Sequence, residues 1–301
     1  MKKLLIATLI AGSLMLTACD DKEKTALIEQ AQKQAQTIEQ LNTQVDNLQK
    51  QVVDLAENQA VRVEPEVLFE KSETVKFDKK PAEPSDGYVR ESAEAKVSVK
   101  TLKTNMDWLT DLLLNELIRK FTAEGQDKIE SKQQFVEQLQ TLYTDSVSYV
   151  KNNEALGRTT NFNVKYLGQK ENLATFTINY YGYFGGAHGM YSTEFLNIDL
   201  AKKNLLDIDE VINPDQHDKL KELLWNAYSN ESNNETFTPK SEFYVPKDFY
   251  FSRDGIAFVY PPYAIGSFAE GEKELTLYWW QLKEEKLLMP QFDYLTENVV
   301  E

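Results

Sequence analysis

Apolar residues recur along this chain with three different periods, and each period predicts a different element. Between Leu27 and Leu55 apolar or small residues step alternately by four and three, at Leu27, Ala31, Ile38, Leu41, Val45, Leu48, Val52 and Leu55. Gln34 and Gln59 fill two further seam positions. A heptad seam sustained this long predicts a coiled-coil helix. Ile or Val at one seam position with Leu at the other favours a parallel homodimer. The flanking positions (Asn42, Gln44, Gln49, Gln51) are polar but uncharged, so a homotrimer stays open. The competing reading is a single helix folded back on the rest of the chain.

Val61 to Pro65 ends the helix, and a period of two follows at Val67, Phe69, Val75 and Phe77, then at Val97 and Val99. The polar stretch 78–87, with two prolines and a glycine, reads as a loop. From Asp107 the period turns helical: Trp108, Leu109, Leu112, Leu113, Ile118 and Phe121 form one apolar face, with Gly125 as the stop. Ser131 and Gln134 have capping-box spacing and open a second helix carrying Phe135, Leu139 and Leu142. Strands are predicted over 161–167, 174–184 and 191–200. Asn213-Pro214 starts a further helix that buries Leu220, Leu223, Leu224 and Ala227. Asp254-Gly255 between two apolar runs predicts a hairpin. A strand at 275–279 and a short helix near 281–286 close the chain. Strands and helices come in segregated groups, so the fold class is α+β: a mainly antiparallel sheet with packed helices, preceded by the N-terminal coiled-coil helix.

The first residues carry an address. Lys2 and Lys3 precede an apolar stretch from Leu4 to Leu16, too short to cross a bilayer as a helix. The only cysteine follows directly, in Leu16-Thr17-Ala18-Cys19, which resembles the lipobox of bacterial lipoproteins. The organisation this implies is a signal peptide over 1–18, a lipidated Cys19 and coiled-coil stalk over 19–60, and an α+β domain read in two parts, 61–160 and 161–301. The expected location is the periplasmic side of the cell envelope, held to the membrane by lipid. Asp20 and Asp21 favour the inner membrane over the outer.

Composition narrows the chemistry. The 301 residues are 42% hydrophobic and 27% charged, the balance of a globular protein. A net charge of −15 argues against nucleic acid as a partner, because phosphate contacts need clustered Lys and Arg. One cysteine permits no intrachain disulfide and no Cys-based metal site. His188 and His217 would need carboxylates to complete a metal site, and no cofactor or metal is expected. There is no Gly-x-Ser-x-Gly, no Walker A and no His-Glu-x-x-His.

Two segments concentrate aromatic residues beside glycine or proline. Tyr180 to Gly189 holds four glycines and four aromatics in ten residues, including Tyr183, Gly185, Gly186 and His188. It reads either as a recognition loop or as a tight connection whose rings fill the core. Pro261, Pro262 and Tyr263 follow the predicted hairpin. They form either a stiff segment suited to docking, since little order is lost on binding, or a rigid crossover packed on the sheet. Trp279-Trp280 reads as core.

Gly185-Gly186-Ala187-His188-Gly189, Asn197-Ile198-Asp199-Leu200 with Leu205-Leu206-Asp207-Ile208, and Asp254 to Phe258 with Pro262 to Gly266 and Ala269-Glu270-Gly271 together resemble the RsiV-type extracytoplasmic domain. The likeness spans about 160–290, and the segment from about 61 is similar to the module that usually precedes it. That family includes the lysozyme-sensing part of an anti-sigma factor and modules beside peptidoglycan deacetylases. The resemblance implies a non-enzymatic, envelope-facing binding domain whose partner is a protein such as lysozyme, or a peptidoglycan-related glycan. The acidic charge suits a basic protein partner. Tyr183, Gly185, Gly186, His188, Pro261, Pro262 and Tyr263 are the expected partner-binding residues. Two other classes remain: an envelope enzyme acting on glycan through carboxylates, and a structural spacer in which the stalk is the working part.

Overall fold

A computed structural model describes residues 30–45, 60–77, 91–122, 128–153, 156–232 and 235–297. Cys19 and the apolar leader, Leu27, the seam from Leu48 onward, the loop at 78–87 and Gly125 lie outside the described residues. The chain divides into two units, 1–60 and 61–301. In the first, residues 30–45 form a helix, α1. Its seam residues Ile38, Leu41 and Val45 share one face, and Leu41 is 54% exposed.

The second unit is α+β. Its larger sheet has six strands in sequential order: β1 (Val63–Lys76), β2 (Ser92–Thr104), β3 (Arg158–Lys170), β4 (Leu173–Tyr183), β5 (Met190–Asp199) and the short β6 (Asn204–Leu205). All neighbours are antiparallel except β2 and β3, which run parallel. A parallel pair needs a crossover. Here it consists of α2 (Asp107–Phe121) and α3 (Lys132–Asn153), which bury Leu109, Leu113, Leu117, Phe135 and Leu139 against one face of the sheet. The division expected at 160/161 falls inside β3. Residues on both sides of it share the six-stranded sheet and the core beneath α2 and α3.

Local chemistry explains the element ends. Ser131 Oγ accepts the Gln134 N–H at 3.1 Å, as its spacing predicts. The return bond shifts by one residue: Gln134 Oε1 accepts the Glu130 N–H at 2.8 Å. β1 carries a bulge between Val67 and Phe69, which interrupts the ladder of an edge strand.

The second sheet has three strands, β7 (Phe249–Phe251), β8 (Gly255–Tyr260) and β9 (Lys273–Tyr278), all antiparallel. Every residue of the central strand β8 is buried. Around it pack the short α4 (Ile208–Val211), α5 (His217–Glu231) and α6 (Trp279–Glu284). Asn213 Oδ1 accepts the Asp215 N–H at 3.1 Å, and a 3₁₀ turn over Pro214–Gln216 leads into α5. Trp279 is core, but Trp280 is half exposed, which corrects the pairing of both tryptophans as core. Helix geometry turns successive side chains apart by about 100°, so two adjacent tryptophans at a helix start cannot both face inward.

The far face of β5 fastens the two sheets together. Asn197 Nδ2 donates to the Phe249 carbonyl at 2.7 Å, and the Phe195 N–H donates to Asp248 at 3.1 Å. Glu272 accepts from both the N–H and the hydroxyl of Thr193. The Phe195 and Tyr250 rings stack at 4.8 Å and 12°. Consequently β4 is buried on both faces from Leu173 to Ile178, and the loop ends of both sheets lie side by side.

Candidate functional site

The β4–β5 connection is the Gly-rich segment. Gly185 and Gly186 have φ of 87° and 114°, where a side chain is strained, so glycine is required for this reversal. The Tyr183 hydroxyl donates to the Gly186 carbonyl at 3.1 Å and closes the loop on itself. His188 projects from it, exposed, with Nδ1 3.0 Å from the Gly189 carbonyl.

The Pro-rich segment leaves the end of β8. Ala264 N–H donates to the Pro261 carbonyl at 3.1 Å, closing a four-residue turn. Pro262 takes the second position, where its fixed φ fits. Tyr263 takes the third with φ of 72°, the position that type II turns reserve for glycine. A bulky residue held there is strained, and such strain collects at functional sites. Its ring is 51% exposed. Thr238 Oγ1 donates to the Ala264 carbonyl at 3.0 Å and braces the turn. Pro262 is buried, so it shapes the turn and presents no surface to a partner.

The two segments meet on Phe268. The His188 ring stacks on Phe268 with centroids 3.8 Å apart and planes 20° from parallel. Tyr263 lies 5.4 Å from the same ring, and Tyr191 meets it edge-on at 5.8 Å. Phe268, itself half-buried, is thus the hub of an aromatic cluster that neither segment forms alone and whose His188 and Tyr263 are exposed. It sits on a 3₁₀ turn, Phe268–Glu270, capped by Ser267. Glu270 returns to the Ser267 N–H at 2.7 Å and pairs with Lys273 at 2.7 Å. Lys273 and the Ser267 donors hold the Glu270 carboxyl down at about 2. The group therefore stays ionised, and the cap stays intact, down to strongly acidic pH. The Ser267-x-x-Glu270 spacing is a capping-box signal that would have located this turn from sequence alone.

A concavity of about 560 Å³ opens between α2, β5 and the start of β7. Glu194 pairs there with Arg119 and, at 3.1 Å, with Lys120. Asp248 lies in the same cleft. Burial, with Glu194 nearby, pushes its carboxyl above the usual range, against the lowering effect of the Phe195 N–H. His217 opens α5, 3.2 Å from Asp209. Among the described residues no group of three His, Cys, Asp or Glu side chains is placed to hold a metal ion.

Residues 207–279 match a protein family described as "Protein of unknown function (DUF3298)". The match takes in Pro261–Tyr263 and Phe268 and stops short of the hairpin that carries His188. No curated protein matches the chain. Among solved structures, a DUF3298 family member from Bacteroides fragilis is similar at 22% identity with a TM-score of 0.59, over 79% of this chain and 98% of that one. A DUF3298 family protein from Pseudomonas aeruginosa is similar at 16% identity with a TM-score of 0.52, over 76% and 95%. At these identities the likeness is one of fold. What the comparisons establish is that residues 207–279 match the DUF3298 model and that the fold is similar to those of two solved DUF3298 family proteins.

Proposed function

We propose that this is a lipid-anchored envelope protein whose domain recognises a partner through the face made by Tyr263, Phe268 and His188. The observation that carries the reading is the convergence of two sequence-distant segments on one half-buried ring, Phe268, with Tyr263 exposed and held in a conformation its side chain disfavours. Aromatic rings on a fixed backbone give contact area at low entropic cost. The partner class is a basic envelope-attacking protein such as lysozyme, with peptidoglycan-related glycan as the other candidate. The RsiV-type resemblance and the net charge of −15 support the protein partner. The role is binding, not catalysis, and the lipid anchor is Cys19 on the periplasmic side, in the inner membrane.

The deciding experiment is Tyr263→Ala, read by lysozyme affinity and thermal unfolding together. The ring is half exposed, so stability should change by less than about 1 kcal/mol. Affinity should fall by roughly 1–3 kcal/mol, as for a central contact residue. Unchanged affinity in a folded variant would leave the Pro-rich turn as scaffold.

The reading includes a stalk. Exposed Ile38, Leu41 and Val45 give α1 an apolar stripe at heptad spacing, which supports pairing with a second or third copy. Leu41→Asp in the full chain should convert the oligomer to monomer by sedimentation, since unpaired charge in a seam is costly. A wild-type chain already monomeric at high concentration would retire the stalk. The rival reading, a glycan enzyme acting through carboxylates, draws its support from Asp248, the carboxyl in the cleft that burial pushes toward its protonated form.

A further inference from the structure

Arg158 opens β3 on the sheet face that α3 covers. Its guanidinium carbon lies over two rings at once, 4.9 Å from the Tyr149 centroid and 5.2 Å from that of Phe184. Both rings are close to half exposed, as is Leu156 two residues before the arginine, so Arg158 stands by apolar surface that reaches solvent. Its Nε is buried and has no hydrogen-bond partner. Among the described residues no carboxylate is within ion-pair distance of it, in a chain with 48 acidic side chains. Other basic side chains on this domain do find one: Lys100, Lys103, Arg119, Lys120 and Lys132 all pair with Glu.

An arginine lying over two rings has lost part of its hydration, and its fork has fewer orientations open to it. Both effects favour a planar anion that accepts two parallel hydrogen bonds, because little further order or water is lost on binding. Low-dielectric walls strengthen the pairing. The field of an acidic protein penalises each added negative charge on a ligand, so a monoanion is favoured over a phosphate dianion or a polyanion. The exposed rings and Leu156 suit an apolar group next to the charge.

We propose that Arg158, Tyr149 and Phe184 form a binding site for the terminal carboxylate of a peptide whose last residue is apolar. The site is independent of lysozyme recognition, although Phe184 belongs to the same hairpin as His188. The ring pair sets orientation and the guanidinium supplies the charge-assisted hydrogen bonds.

The test uses the full chain and N-acetyl-Ala-Leu, its C-terminal amide, and inorganic phosphate as probes. Binding is followed by NMR at the Arg158 Nε–H. The free acid should shift that resonance in a saturable way, and the amide should bind at least about tenfold more weakly, the loss of roughly one charged hydrogen bond. Arg158→Lys keeps the cation near the rings but removes the fork. It should lower acid binding by a similar factor, measured on backbone amides of β3, with thermal unfolding unchanged. Tyr263→Ala should leave acid binding intact, which separates this site from the recognition face. Equal binding of acid and amide, tighter binding of phosphate, or no shift at Arg158 with the free acid would each overturn the proposal.

Discussion

Gly255→Ala should lower stability by about 3 kcal/mol or more, at the upper end of what overpacking costs. A Cβ built on Gly255 stands 1.9 Å from the Leu277 carbonyl oxygen and 2.8 Å from the Tyr278 Cα. These are backbone atoms of β9, fixed by the register that pairs Gly255 with Tyr278, so no side chain can swing away to make room. Relief requires β9 to move off β8. In a domain of this size the change corresponds to a fall in Tm of roughly 6–12 °C. The effect reaches the candidate site, because β8 runs directly into Pro261 and β9 begins two residues after Gly271. Both shoulders of the Phe268 cluster hang on this one strand pair. Thermal unfolding of the variant checks the claim; a loss below about 1 kcal/mol would mean the β9 backbone yields cheaply.

The same glycine shows where sequence reading succeeds and where it stops. Asp254-Gly255 announces a hairpin, and a hairpin is present. The dipeptide signal implies a two-residue turn with positive φ at glycine. Instead the Ser252 N–H donates to the Gly255 carbonyl at 2.8 Å, Arg253 and Asp254 make the turn, and Gly255 is already the first residue of β8. Ser252 Oγ accepts the N–H groups of Asp254 and Gly255, and Gly255 is not in the left-handed region. Its need for glycine comes from β9, some twenty residues away, which no local pattern reveals. Periodicity works where one face of an element meets one core. It gave Leu109 and Leu113 in α2 and Phe135 and Leu139 in α3, all fully buried. It weakens where an element is buried on two sides, as in β4, and it is silent on pairing, so the parallel β2–β3 contact was not expected from the chain. The candidate site follows this division. Glycine, proline and tyrosine marked its two segments, because backbone constraint is written locally. Phe268, which joins them, carries no local mark, because its importance lies in contacts made across the fold.

Tyr228 in α5 is a second residue whose weight a leucine pattern conceals. The leucine spacing predicts an α5 face of Leu220, Leu223, Leu224 and Ala227, yet Tyr228 is among the largest fully buried side chains of the described residues. Its ring stacks on Phe243 at 5.7 Å and 11°, and meets Trp225 edge-on. Its hydroxyl oxygen accepts two backbone donors, the N–H of Phe237 at 2.8 Å and of Thr238 at 3.2 Å. Tyr228→Phe keeps the ring and opens no cavity large enough to matter, so the packing term is nearly unchanged. What it removes is the acceptor for Thr238, a residue only 9% exposed. A buried donor left without a partner costs about 1–3 kcal/mol, so a loss near 2 kcal/mol is expected. Truncation to Ala adds the cavity and should cost about 3–5 kcal/mol. The Phe variant should also act at a distance. Thr238 Oγ1 braces the Pro261–Ala264 turn through the Ala264 carbonyl, so loosening Thr238 frees the turn that holds Tyr263 at positive φ. Denaturant unfolding gives the stability term, and amide hydrogen exchange at Thr238 and Ala264 gives the local one. Thr238→Val separates the two, since it deletes the brace to Ala264 and leaves both donors to Tyr228 in place. If the recognition face depends on that turn, Tyr228→Phe and Thr238→Val should both weaken lysozyme binding, while only the first lowers stability by about 2 kcal/mol. Faster exchange at Thr238 with unchanged exchange at Ala264 would show that the turn is held by Pro262 and the β8 end alone.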